Sequence, residues 1–171
     1  MTKDNQQENS GKYSILFVCL GNICRSPAAE GIIKKMIRDD GLESLYRVDS
    51  AGIGGWHVGQ LPDSRMRRHC AAHGYRLDSR ARQFADSDFG DFDLIVTMDA
   101  ENYANISRRA PQDGCRAEIV RMADFLASHP GQHTIPDPYY GGDNGFELVV
   151  ELLEDACRNL LDRINEKLTD K

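Results

Sequence analysis

Apolar positions along this chain follow two different rules. Ser14 to Val18 and Phe92 to Met98 are short, nearly continuous apolar runs, the pattern of strands buried on both faces. Tyr46 to Ser50 reads as a second short strand and Ala117 to Arg121 as a further strand candidate, both with charged residues interspersed. Between them apolar residues recur every three or four positions, which predicts amphipathic helices. Pro27 to Asp39 carries Ile32, Ile33, Met36 and Ile37 on one stripe, with Pro27 suited to the first helical position and Gly41 as a stop. Pro62 to His73 reads as a second helix closed by Gly74, and Asp99 caps a third over Ala100 to Arg109. Ala123 to Ala127 allows a turn or two. Ser128 to Asn144, rich in Pro and Gly, has no period. Phe146 to Leu168 is the longest helical pattern, with Val149, Leu153, Ala156, Leu160 and Ile164 on one face.

Strands alternating with helices predict an α/β fold, a parallel sheet covered by helices on both faces. No repeat or linker interrupts it, and 171 residues suit a single domain. Met1 to Lys12 is polar throughout and reads as a disordered tail, leaving residues 13–171 as the domain. In sheets of this kind ligands bind at the carboxyl ends of the strands.

Charge and cysteine usage narrow the classes. Net charge is −6, without a long basic run, which argues against nucleic acid as a partner. The densest basic cluster, Arg65, Arg67 and Arg68, reads with Asp63 as a solvated helix face. Five cysteines at irregular spacing predict reduced thiols and a cytoplasmic setting. No N-terminal stretch resembles a signal peptide, and no apolar run approaches the roughly 18 residues that span a bilayer, so no membrane insertion is expected.

The chemistry concentrates where the first strand meets the first helix, at Cys19-Leu20-Gly21-Asn22-Ile23-Cys24-Arg25-Ser26-Pro27. A glycine-containing loop leading into a helix N-terminus presents free backbone N–H groups to phosphate. A thiol at such a terminus beside a cation is favoured as the thiolate, and an arginine fork grips two phosphate oxygens. Gly21 and Asn22 suit left-handed backbone. A thiol below a bound phosphoryl group can attack phosphorus and form a phosphocysteine. Alone, the loop is compatible with a hydrolase, a reductase or a phosphocarrier. Asp137, between Pro136 and Pro138, is either a turn aspartate or an acid lying over the pocket. Trp56, Tyr139 and Tyr140 sit on loops, as an aromatic slot or as local packing. His57, His69, His129 and His133 have no metal-ligand spacing with the cysteines, and no metal or cofactor is expected.

The chain resembles the low-molecular-weight protein tyrosine phosphatases. The resemblance rests on Val18 to Pro27, Asp49-Ser50-Ala51-Gly52, Trp56-His57-Val58-Gly59, Thr97-Met98-Asp99 and Asp137-Pro138-Tyr139-Tyr140-Gly141, in family order over nearly the whole chain after residue 13. It implies a three-layer sandwich around a four-stranded parallel sheet in the order 2-1-3-4. It also implies hydrolysis of protein phosphotyrosine through a phosphocysteine on Cys19. Arg25 would bind phosphate, and Asp137 would act as general acid and then base. Leu20, Gly21, Asn22, Ile23, Cys24 and Ser26 would surround the phosphate, with Trp56, Tyr139 and Tyr140 flanking the ring.

In the resemblance, Asn22, Ser26, Ser50 and His73 match a hydrogen-bonded group supporting the loop. It also favours a reversible Cys19–Cys24 disulfide as a redox control, with Cys70, Cys115 and Cys157 structural. The expected partners are phosphotyrosine proteins, a tyrosine kinase among them, and inorganic phosphate as product and inhibitor. Arsenate reduction on the same fold needs a relay of further cysteines, but Cys70 and Cys115 are isolated in sequence. Protein-arginine phosphatases of this family resemble one another in having threonine where this chain has Ile23, and they lack the double tyrosine. A non-hydrolytic phosphocarrier needs neither Arg25 nor Asp137.

Overall fold

The computed structural model describes residues 11–170. The first ten residues of the expected N-terminal tail lie outside the described residues, while Gly11 and Lys12 are exposed. Four strands form one parallel sheet: β1 (Tyr13–Cys19), β2 (Tyr46–Gly52), β3 (Leu94–Thr97) and β4 (Glu118–Arg121). Their spatial order is β2-β1-β3-β4, the order the resemblance implies. Among the described residues, five α-helices accompany the sheet: α1 (Arg25–Asp39), α2 (Ser64–Ala72), the single turn α3 (Asp88–Asp91), α4 (Ala100–Arg109) and α5 (Asp143–Thr169), with short 3-10 turns at Glu43–Leu45 and Met122–Phe125.

The central strand explains the continuous apolar run. Ile15 and Phe17 face a core built with α1, α2 and α5, whereas Leu16 and Val18 face Phe84, Phe89, Phe92 and Ile106 on the other side. Alternate side chains of a strand point to opposite faces, so a strand covered twice must be apolar at every position. The long α5 supplies Phe146, Val149, Leu153, Ala156, Leu160 and Ile164 to the first core. Among the described residues, no helix is long and apolar enough to cross a membrane.

Several boundaries differ from the periodicity. Helix α1 begins at Arg25, so Pro27 is its third residue and not its first. The missing N–H costs nothing there, because no N–H of a first turn has an intrahelical acceptor. Helix α5 begins at Asp143, three residues ahead of Phe146, since its polar first turn carries no apolar signal. Strand β3 is shorter than the run Phe92 to Met98, because Phe92 leaves the ladder to pack in the second core.

The order 2-1-3-4 makes the chain leave β1 and β3 towards opposite sides of the sheet. The carboxyl ends of those neighbouring strands are the topological switch point, where open α/β sheets hold ligands. Cys19 ends β1, and Asp99 follows β3 by two residues.

Candidate active site

Between Cys19 and Arg25 the chain reverses tightly around a small volume. Asn22 lies in the left-handed region, with φ 58°, the one non-glycine that does so among the described residues. Its side chain holds it there. The amide nitrogen donates to Ser26 Oγ at 2.8 Å and Ser50 Oγ at 3.0 Å, and Oδ1 accepts from the Arg82 N–H at 3.0 Å. Outside donors take up the loop's carbonyls: Ile53 N–H to Cys19, Gly54 N–H to Leu20 and Asp63 N–H to Ile23, at 2.8–3.0 Å. Among the described residues, the N–H groups from Leu20 to Arg25 have no acceptor within the protein. The loop is therefore a set of free donors at the start of α1, an anion cradle made by the backbone.

Gly52, at the end of β2, lets that loop close. A Cβ there would stand 2.9 Å from the Gly21 carbonyl carbon and 3.0 Å from the Asn22 nitrogen.

Cys19 is 3% exposed, with Sγ 3.0 Å from Ser26 Oγ. Ser26 already accepts from Asn22, so its own proton is free to be donated to the sulfur. The chain of bonds continues from Asn22 through Ser50, whose hydroxyl donates to Glu30 Oε1 at 2.5 Å. Glu30 is buried and paired with Lys34, a link that its place in the α1 pattern did not reveal.

Arg25 joins three parts of the chain. Its side chain is 3% exposed. Nη1 donates to Asp99 Oδ2 at 2.7 Å and to the Ile135 carbonyl at 2.9 Å, and Nη2 lies 3.6 Å from Asp137 Oδ2. Asp99 does more than the helix cap its position predicted. Its Oδ1 caps α4 by accepting the Asn102 N–H, and its Oδ2 orients the guanidinium. The signal was its place one residue beyond Met98, at the end of the strand beside β1.

Cys19, Leu20, Gly21, Ile23, Cys24 and Arg25 form the floor of a pocket of about 360 Å³, with Trp56, His57, Asp137, Tyr139 and Tyr140 around it. His57 had no assigned role in the sequence reading. Trp56 is 68% exposed and Tyr140 93%, so the aromatic walls stand at an open mouth. Tyr139 and Tyr140 pack edge to face, 4.9 Å between centroids. The Trp56 ring lies over Gly54, where an added Cβ would collide with it. Asp137 is 36% exposed, and its Oδ1 accepts the Tyr139 N–H at 3.1 Å. Cys24 is buried, and burial pushes its thiol far up, keeping it protonated. Both Cys19 and Cys24 are free thiols.

Two expectations need correction. His73 does not join Asn22, Ser26 and Ser50. It closes the far end of α2, bonding Glu147 through Nε2 and standing 3.1 Å from Glu154 through Nδ1. The hydrogen bond to Glu147 and the nearby carboxylates hold its pKa above the ordinary value. A nine-residue helix separates it from the loop side of α2, where Asp63 meets Ile23, so it clamps α2 to α5 instead. Arg65 is the second departure. It is half-buried and bonded to Asp63 and to the Tyr139 carbonyl, and so is no freely solvated member of a basic face.

A thiol below, a ring of N–H donors, a buried guanidinium and a carboxyl group above suit a tetrahedral oxyanion whose central atom is attacked from the sulfur side. The low molecular weight phosphotyrosine protein phosphatase family model matches residues 14–170. The chain is 44% identical over 158 residues to a low molecular weight protein-tyrosine-phosphatase of Streptomyces coelicolor, covering 91% of this chain and 96% of that one. A crystal structure of a protein tyrosine phosphatase from Entamoeba histolytica, with Hepes in its active site, superposes with TM-score 0.87 at 46% identity, covering 91% and 99% of the two chains. A Drosophila arginine phosphatase superposes with TM-score 0.83 at 31% identity, covering 88% and 96%.

Proposed function

The chain belongs to the low molecular weight phosphotyrosine protein phosphatase family, and we propose that it hydrolyses protein phosphotyrosine through a phosphocysteine on Cys19. What carries the reading is that Asp137, more than 100 residues away in sequence, lines one pocket with Cys19 and Arg25.

The phosphoryl oxygens sit on the free N–H groups of Leu20 to Arg25 and on the Arg25 guanidinium, which places phosphorus above Sγ. The Cys19 thiolate forms the S–P bond as the P–O bond to the tyrosyl oxygen breaks. Asp137 enters as the carboxylic acid and gives its proton to that oxygen, which leaves as neutral tyrosine. Asp137, now a carboxylate, takes a proton from water as the water attacks phosphorus. The S–P bond breaks, returning the thiolate and releasing inorganic phosphate. Ser26 donates to sulfur in both steps, which makes it a better leaving group in the second. Trp56, Tyr139 and Tyr140 flank the phenyl ring, and the depth of the slot favours an aromatic phosphoester over the shorter phosphoserine.

The partners under this reading are phosphotyrosine proteins, a tyrosine kinase among them. The setting is the cytoplasm, where five free thiols stay reduced. The likeness to an arginine phosphatase offers a second substrate, phosphoarginine. Ile23 and the pair Tyr139-Tyr140 favour the flat phenol ring.

The test is Cys19→Ser assayed on phosphotyrosine, phosphoserine and phosphoarginine peptides. The expected result is selective turnover of phosphotyrosine by the wild type, none by the variant, and retained phosphotyrosine-peptide binding by the variant. Full turnover by Cys19→Ser would overturn the mechanism, and preferred turnover of phosphoarginine would overturn the substrate.

A further inference from the structure

The segment carrying Asp137 has little of its own to hold it. Its backbone makes one turn bond, from the Gly141 N–H to the Pro138 carbonyl at 2.9 Å. Arg25 holds the Ile135 carbonyl just before it, and among the described residues one outside side chain donates to the backbone of residues 136–141: Arg65 Nη2, 3.1 Å from the Tyr139 carbonyl. The Tyr139 peptide is the piece that matters. Its N–H aims Asp137 Oδ1, and its carbonyl is the group Arg65 holds.

Arg65 is itself fixed on both sides. Asp63, which caps α2, takes Nε at 3.1 Å and Nη2 at 3.0 Å, a two-point clamp on the guanidinium edge. The guanidinium carbon stands 4.5 Å from the Phe146 ring centroid and 5.7 Å from that of Tyr139. Phe146 is fully buried and lies in the first turns of α5, just beyond the acid segment. Arg65 thus touches the segment at Tyr139 and again where it enters the core. Asp63 in turn donates its N–H to the Ile23 carbonyl of the phosphate loop at 2.8 Å. The linkage runs from Ile23 through Asp63, Arg65 and Tyr139 to Asp137. It joins the loop that holds phosphate to the group that protonates the leaving oxygen, while Arg65 stays out of the pocket lining.

We propose that Arg65 is a positioning residue for the general acid, holding the Tyr139 main chain so that the Asp137 carboxyl stands at the leaving-group oxygen. This rests on the reading of Asp137 as that acid. Lysine cannot replace it, because one ammonium cannot clamp Asp63, stack on Phe146 and reach the Tyr139 carbonyl together.

The experiment compares kcat/KM on phenyl phosphate, whose phenolate leaves only with a proton, and on 2,4-dinitrophenyl phosphate, whose phenolate leaves without one. It uses wild type, Arg65→Met, Arg65→Lys, Asp137→Asn and Arg65→Met/Asp137→Asn. Methionine keeps the apolar stem against Phe146. The expected loss for both Arg65 variants is about tenfold on phenyl phosphate and within about twofold on the dinitrophenyl ester. Retained turnover of the activated ester reports an intact fold and an intact Cys19 loop. In the Asp137→Asn background, Arg65→Met should add nothing further on phenyl phosphate. Equal losses on both esters, no loss on either, or full additivity in the double variant would each overturn the proposal. A leaving-group-independent loss in Asp137→Asn would instead remove the acid assignment itself.

Discussion

The two halves of the pocket are built in opposite ways. Its floor, Cys19 to Arg25, is mostly buried, with Leu20 exposed, is tied through Asn22 to the Ser50 hydroxyl and the Arg82 main chain, and carries its unusual Asn22 backbone on those hydrogen bonds. Its rim, Asp137, Tyr139 and Tyr140 with Trp56, is exposed and held by few bonds. Under the proposed function the difference follows from what each half must do. A phosphate dianion is nearly the same in every substrate, so donors for it can be fixed in advance and cost no reorganisation when charge develops. Phenol rings arrive on varied polypeptides, and an open rim accepts them. Changes to the floor should therefore affect stability and catalysis together, and changes to the rim catalysis alone.

The largest effect is expected from the residue where floor and rim meet. Under the proposed mechanism, Arg25→Met removes a transition-state donor, and it leaves Asp99 and the Ile135 carbonyl without their partner. It should lower kcat/KM about a thousandfold and stability by about 2 kcal/mol, read by phosphatase assay and urea unfolding. A large rate loss without any stability loss would break the comparison. Asn22 sharpens it. Asn22→Ala should cost about 2–3 kcal/mol, through the left-handed backbone and three lost bonds, while Asn22→Gly should cost about 1 kcal/mol less because the backbone strain is relieved. Equal costs would mean that the bonds alone hold the loop.

Tyr140→Ala, at the rim, should raise KM for a phosphotyrosine peptide about three- to tenfold, with kcat and urea midpoint unchanged. A shifted midpoint would show the rim to be part of the folded framework.

The smallest effect is a pH dependence away from the pocket. His73 is held above its ordinary 6.5, first by its bond to Glu147, so its contribution is complete below that value and fades as pH rises through the raised pKa. Glu147 is held below its ordinary 4.5, first by its bonds to His69 and His73, so its contribution is present above that value and fades as pH falls through the lowered pKa. The clamp between α2 and α5 is thus complete between pH 4.5 and 6.5. His73→Gln should flatten the decline of Tm above pH 6.5 while leaving relative turnover of the two phenyl esters unchanged. A Tm curve parallel to wild type would remove His73 from the pH response.

The fold was legible because its signals are local. A doubly covered strand such as Ile15 to Val18 must be apolar at every position, and α5 announces its buried face over many turns. Boundaries were less legible where the sequence is polar, as in the first turn of α5, or where a proline is tolerated at several positions, as in α1. His73 shows the limit of assigning position by motif. A histidine at a helix end reaches only the element packed against that end, here α5.

By itself, the sequence determined the Cys19-to-Arg25 cradle and the alternation that makes a parallel sheet. Both depend on neighbours within a few residues, where chain geometry leaves little freedom. Only the tertiary structure decided what surrounds that cradle. Asp99 reaches Arg25 across 74 positions, Ile135 across 110, and Arg65 reaches Tyr139 across 74. Each of those residues has an ordinary local role as cap, loop or helix face. The second role exists only because sheet order and helix packing bring distant polar groups within hydrogen-bond reach, and around the buried Arg25 that pairing is obligatory.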